Sequence, residues 1–233
     1  KNVELILVGT LYIISTPIGN LGDITYRALE VLKEIDCLAC EDTRVTRKLL
    51  NHYKINLKLI SYNDINEKSM VGKLTERLSN NENIGLVSDA GTPGISDPGY
   101  RLINACHINN INVVSIPGAS SVIASLSISG LPTDNFYFCG FLPKKKGRKT
   151  KFEFLLSIPG TIVIFESPYR VIKTLNDIYS YMGNRVVSVC KELTKIHETV
   201  FLGNVKDVID DFDNKNKLKG EFVILISKEG YKL

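Results

Sequence analysis

Several features that would decide the function of this chain at once are missing from it. Its 233 residues hold no apolar run near the ~20 that a membrane-spanning helix needs. Stretches such as 11–14, 161–165 and 222–226 are the length of strands, so no membrane partner is expected. The opening residues include Glu4 and no small-residue cleavage pattern, so a secretory leader is not expected and the reading is a cytoplasmic protein. Histidine is scarce, at positions 52, 107 and 197, and no H-E-x-x-H occurs. A catalytic metal or a histidine-centred triad therefore has little to stand on. Both G-x-G-x-x-G and G-x-x-x-x-G-K-[ST] are absent, which leaves a phosphate-bearing cofactor unsupported. The five cysteines are an odd number for a disulfide framework. Cys37 and Cys40 form a C-x-x-C, but in a strand-like run an i, i+3 pair points to opposite faces, and no second pair completes four ligands. They read as small core residues, and no metal is expected.

Charge of either sign is also modest: 29 Lys and Arg against 25 Asp and Glu, a net +4. A mild excess identifies no partner, whereas clustering does, because counterion release rewards several cations along one surface. One cluster exists. Lys144, Lys145, Lys146, Arg148, Lys149 and Lys151 put six basic residues into eight positions just after Phe141. Such runs are often merely solvated, but a run that follows an aromatic strand end is placed to reach RNA phosphates. Arg44, Arg47 and Lys48 extend the same positive character.

What remains is an orderly alternation. Strands are expected over 11–15, 36–40, 84–88 and 112–116, with helices over 25–34, 43–52, 67–79, 100–106 and from about 121 to 129. That grammar is an α/β fold with a parallel, Rossmann-like sheet. Near residue 130 it changes. Strands over 135–140, 161–166, 185–191, 198–204 and 221–227, with helices over 151–157, 169–181 and 205–212, include two strands in succession, which indicates a mixed sheet. Two α/β domains, 9–129 and 130–233, are expected. No internal repeat occurs, and 213–219 is a polar stretch of low complexity.

In open α/β sheets ligands gather where strands end and helices begin. Three such loops, 16–22, 89–99 and 117–121, are rich in Gly, Pro, Ser and Thr. Glycine lets backbone approach a ligand, and proline fixes the turn around it. Any one of these loops alone reads as a tight turn; three together read as a ligand site.

The longer strings are specific. The segments 9–25 (beginning Gly9-Thr10-Leu11 and including Ser15-Thr16-Pro17-Ile18-Gly19-Asn20-Leu21-Gly22-Asp23), Glu41-Asp42-Thr43-Arg44, 88–99, 116–121, Gly140-Phe141-Leu142-Pro143, Phe165-Glu166-Ser167-Pro168-Tyr169-Arg170 and Lys191-Glu192-Leu193-Thr194-Lys195 follow one another along nearly the whole chain. In that order they resemble the ribosomal RNA small subunit methyltransferase I family of the tetrapyrrole methylase superfamily. The resemblance implies a two-domain fold with S-adenosylmethionine in the interdomain cleft, a homodimer, and methylation of a cytidine 2'-hydroxyl in the decoding region of 16S ribosomal RNA, free or in the small subunit. It implies that Pro17, Ile18, Gly19, Asp89, Gly91, Thr92, Pro93, Gly94, Ser120 and Ser121 surround the cofactor, with Phe165, Leu193 and Gly220 closing the other side. Asp89 is then the polar anchor, although its residue type equally suits a turn or helix cap.

A ribose hydroxyl is a weak nucleophile, so a group that accepts or polarises its proton helps in-line methyl transfer. Glu41, Asp42, Glu166, Lys191 and Glu192 qualify by residue type. The same carboxylates are equally suited to pair with Arg44, Arg170 or Lys195, and the sequence leaves the choice open. Two rival readings go with this one: a C-methyltransferase acting on a tetrapyrrole, and an RNA-binding assembly protein without catalysis. The Glu41 to Arg44 string and the basic run weigh against the first. The three intact loops weigh against the second.

Overall fold

A computed structural model describes residues 8–213 and 219–233. Most of the low-complexity stretch 213–219 thus lies outside the described residues. The chain divides into two compact units, Lys1–Ser120 and Ser121–Leu233.

The first unit is a five-stranded sheet in the order β3-β2-β4-β1-β5, every pairing parallel. Its strands are β1 (Thr10–Ile14), β2 (Cys37–Cys40), β3 (Leu59–Ser61), β4 (Ile84–Val87) and β5 (Asn112–Ile116). The connecting helices are α1 (Tyr26–Glu34), α2 (Thr43–His52), α3 (Glu67–Ser79) and α4 (Tyr100–Ile108). Parallel strands need helical crossovers that cover both faces, and two separate cores result. Leu74 and Leu78 of α3 pack with Leu102 and Cys106 of α4 on one face, and Ala28 and Leu32 of α1 with Leu50 of α2 on the other. Because side chains alternate along β2, Cys37 joins the first core and Cys40 the second, and all five cysteines carry free thiols. Caps set the helix starts. The Thr25 hydroxyl accepts from the Ala28 N–H at 3.1 Å and opens α1, while the Asp42 carboxylate accepts from the Arg44 N–H at 2.8 Å and opens α2.

The second unit begins with α5 (Ser121–Ile128) and contains β6 (Phe136–Phe141), α6 (Arg148–Leu156), β7 (Thr161–Glu166), α7 (Val171–Met182), β8 (Val186–Lys191), β9 (Thr199–Asn204), α8 (Val205–Asp213) and β10 (Phe222–Ile226). Its sheet runs β6-β7-β10-β8-β9, with β6 and β7 parallel and the remaining pairs antiparallel. One face carries α6, α7 and α8 over a core built on Phe152, Leu175, Phe212 and Ile224. Helix α5 packs against β10, which groups it with this unit and not with the preceding one, where the sequence grammar had set it. Between Phe138 and Gly140 the register with β7 shifts by one residue. This bulge puts Phe141 opposite Phe165, so Phe138 and Phe141 both meet the Phe165 ring, with centroids 4.9 and 5.7 Å away.

The sequence missed β3, a three-residue edge strand too short to show alternation. It also began α6 three residues late, because lysines do not announce a helix start. Gly147, with φ of 79°, makes the turn into it.

Candidate functional site

In the first unit the expected cofactor residues and candidate acids stand at the carboxyl ends of parallel strands, while Arg44 and Arg47 lie on α2. The turn after β1 (15–20), Glu41 and Asp42 after β2, the loop 88–99 after β4 and 117–120 after β5 all emerge on the same edge of the sheet. Three of these loops are tied together. Thr16 and Gly91 exchange backbone hydrogen bonds of 2.9 and 3.1 Å, a one-residue antiparallel bridge between the β1 and β4 loops. The Ser15 and Thr92 hydroxyls lie 2.9 Å apart, and the Thr16 hydroxyl donates to the Ser88 carbonyl. Gly118 lies so close that a Cβ there would sit 2.9 Å from that of Ser15.

Gly91 and Gly94 have φ near +80°, which side chains rarely tolerate. Gly99 N–H donates to Glu67, a buried carboxylate that also accepts from Tyr62 and from Arg101 at 3.0 Å. Glu67 thereby fixes the far end of the 89–99 loop. Sequence reasoning did not pick it out, since nothing in its neighbours marks it.

The acids at this edge sit close together. Asp89 Oδ1 accepts the Asp42 N–H at 3.0 Å, and the carboxylate is otherwise solvent-accessible. The loop packed on one side withdraws enough water to raise its pKa. Glu41 is raised too, first by burial and then by the charges of Asp89 and Asp97. Asp97 is raised by burial, against a hydrogen bond from Ser88. Asp42 differs: its bonds from Arg44 hold it down to about 2, and the Arg44 Nη2 lies 2.6 Å from its Oδ2. Asp42 is thus a helix cap and ion-pair partner, which leaves it poorly suited to take up a proton near neutrality.

Of the cofactor residues expected in this unit, Pro17, Ile18, Gly19, Gly91, Thr92, Pro93 and Gly94 are on the tied loops, and Ser120 ends the unit. The donor set suits S-adenosylmethionine: a carboxylate for its hydroxyls or ammonium, glycines that admit close backbone approach, and no cluster of metal-ligating side chains among the described residues.

The second unit likewise gathers its expected residues at one end of its sheet. Phe222 is paired with Glu166 on one side and Lys191 on the other, and Phe141 is paired with Phe165. Leu193 and Gly220 flank that end. Gly220 has φ of 97°, and a Cβ there would meet the Glu192 side chain at 2.5 Å. Ser121 opens α5. Glu192 bonds Lys195 at 2.9 Å, which holds its carboxyl below the usual range. Glu166 is buried and bonded to Ser167, Arg170 and Thr174. Both carboxylates therefore have structural partners, and the Glu166 side chain, wholly withdrawn from solvent, presents no oxygen to a substrate.

The basic run separates into two kinds of residue. Lys144, Lys145, Lys146 and Lys149 are exposed. Arg148, expected among the RNA contacts, is only 7 % exposed and bonds Asp177 Oδ2 at 2.7 Å. It is a correction to that expectation: a guanidinium held by a carboxylate, a threonine and a carbonyl is withdrawn from solvent. Lys151 also turns inward, its ammonium about 5 Å from the Tyr137 and Phe154 ring centres. Arg47 is exposed on α2.

Residues 10–209 match the family of Tetrapyrrole (Corrin/Porphyrin) Methylases, which defines the class of protein that this fold and these loops form. Among solved structures, a diphthine synthase shares the fold with a TM-score of 0.76 at 14% identity, covering 96% of this chain and 92% of its own. Sequence relatives are much nearer. Ribosomal RNA small subunit methyltransferase I of Halalkalibacterium halodurans is 45% identical over 97% of this chain and 78% of its own length. That of Hydrogenobaculum sp. is 46% identical over 94% and 96%. The chain belongs to the tetrapyrrole methylase family and, within it, to the ribosomal RNA small subunit methyltransferase I group. It is an S-adenosylmethionine-dependent methyltransferase.

Proposed function

We propose that this methyltransferase acts on small-subunit ribosomal RNA, placing the methyl group on the 2'-hydroxyl of a cytidine in the decoding region. The observation that carries the choice of acceptor is the exposed lysine loop after β6, a polyanion-binding feature that cofactor binding does not require. Relatives named for ribosomal RNA support it.

S-adenosylmethionine supplies an electrophilic methyl group. The chain's own residues bind and orient. Asp89 anchors the cofactor, while the tied loops carrying Pro17, Gly19, Gly91, Gly94 and Ser120 cradle it. Alignment of hydroxyl with methyl does most of the catalysis. Glu41 is the residue we assign to receive the hydroxyl proton, because its pKa is raised and it forms no ion pair among the described residues, whereas Asp42, Glu166 and Glu192 are each held by a cationic side chain. Lys144, Lys145, Lys146 and Lys149, with Arg44 and Arg47, meet phosphates.

The reading also places the protein in the cytoplasm with its substrate, and among the described residues no helix is long and apolar enough to cross a membrane. It further makes the protein a homodimer. Exposed Val200 and Leu202 on β9 and Ile123 and Ile128 on α5 support that state, since the β9 pair emerges on the sheet face against which α5 packs.

The deciding experiment supplies methyl-labelled S-adenosylmethionine and small ribosomal subunits from cells lacking this enzyme, with the label mapped by nuclease digestion and mass spectrometry. Label on a cytidine ribose is the expected result. Cofactor binding without label on subunits or free RNA, together with turnover of a uroporphyrin-type acceptor, would move the assignment to a tetrapyrrole.

A further inference from the structure

The groups that hold the basic loop in place are not its lysines. Two arginines donate to the carbonyls that lead into it: Arg170 Nη1 to Leu142 O at 3.2 Å, and Arg148 Nη1 to Pro143 O at 3.0 Å. Each is neutralised by a carboxylate, Arg170 by Glu166 and Arg148 by Asp177, both at 2.7 Å. Thr174 joins the two halves. Its hydroxyl accepts from Arg148 Nη2 at 2.8 Å and donates to Glu166 Oε2 at 2.7 Å. Glu166, Arg148 and Thr174 are 3%, 7% and 0% exposed.

A buried ionic network of this size is a poor way to gain stability, since well-packed apolar residues commonly do as well. What it does here is fix backbone. It clamps the start of the β6–α6 loop to the turn between β7 and α7, and these two segments display the exposed groups at this end of the sheet. Lys144, Lys145 and Lys146 are on the first, with Phe141, 58% exposed, just before them. Tyr169, 94% exposed, is on the second, adjacent to Arg170.

We propose that the Arg148–Thr174–Glu166–Arg170 network is a positioning device that presents Lys144, Lys145, Lys146 and the rings of Phe141 and Tyr169 as one preformed docking surface for a single-stranded RNA segment. Three adjacent ammonium groups repel one another, and a free loop bearing them must be ordered each time RNA binds. Anchoring its backbone removes that cost beforehand. Exposed rings beside cations are what unpaired bases and their phosphates require, whereas a duplex hides its base faces. The inference rests on the RNA reading above.

The test is steady-state methylation of unmodified small subunits as a function of subunit concentration and salt. Thr174→Val keeps the volume but removes both links, and the expected result is a KM for subunits raised about tenfold with kcat and cofactor affinity within about twofold. Its salt slope stays unchanged, because the phosphate contacts still form. Trypsin should also cleave faster after residues 144–146. Tyr169→Ala, at a position too exposed to matter for folding, raises KM about fivefold or more. Replacing Lys144, Lys145 and Lys146 together by serine raises KM and lowers the salt slope by about 2.

Unchanged KM and trypsin sensitivity in Thr174→Val, with an unchanged KM in Tyr169→Ala, would overturn the positioning role if the triple-lysine variant alone were impaired. Were the triple variant also indistinguishable from the parent in KM and salt slope, the RNA reading itself would fall. Should Thr174→Val not fold, Arg170→Lys, which keeps the charge but loses the second donor to Leu142, serves for the same readouts.

Discussion

Glu41 shows how far a single residue's role depends on its surroundings. It follows β2, half-buried, and is raised by burial and then by the charges of Asp89 and Asp97. Only its deprotonated form accepts a proton. The acid limb of the kcat profile should therefore lie above the ordinary glutamate range of about 4.3, with activity lost as pH falls through that limb. Removing one neighbouring charge, in Asp97→Asn, should move the limb to lower pH, while Glu41→Gln lowers kcat by roughly 10²–10⁴-fold. A limb that stays in place in Asp97→Asn would remove Glu41 from this role. At this scale the sequence was an incomplete guide. It offered Glu41, Asp42, Glu166, Lys191 and Glu192 as equals, and only three-dimensional partners separate them. The Glu166 and Arg170 spacing of i, i+4 was a readable pairing signal, whereas Asp97, Thr174 and Asp177 carried none.

Among the elements, the tied loops at the end of the parallel sheet are the most exacting. Gly118→Ala would push a methyl into the Cβ of Ser15, whose hydroxyl meets Thr92 across the loops. We expect a stability cost of ~1–3 kcal/mol and, measured by calorimetry, cofactor affinity weakened on the order of tenfold. Gly72→Ala is the control. It lies within α3 with nothing near its missing Cβ, and should be neutral or stabilising by up to about 1 kcal/mol. Equal effects of the two substitutions would contradict this account. Most elements were legible because hydrophobic periodicity was strong: α2, α3, β5 and β7 fall where the sequence put them. Failures came where a tertiary contact substitutes for a local pattern, as at β3, which is held only along one edge, and at the start of α6, where Arg148 reads as one more cation until Asp177 and Thr174 are seen around it.

At the scale of the whole molecule, the change of grammar near residue 130 was visible in the sequence, while the assignment of α5 was not, because only its packing against β10 attaches it to the second sheet. The exposed apolar residues of that unit give a direct expectation. Sedimentation equilibrium should return twice the chain mass, and Leu202→Glu should return the mass of one chain without unfolding it. A monomeric parent protein at micromolar concentration would overturn the dimer. The bulge in β6 has a consequence of a different kind. Cys139 is an uncounted beat in the strand: it lets Phe138 and Phe141, three apart in sequence, lie on one face. A single-codon deletion there would close the ladder to plain alternation and keep Phe141 opposite Phe165, so what the extra residue supplies is the local bend leading into the lysine loop and not the facing of the ring.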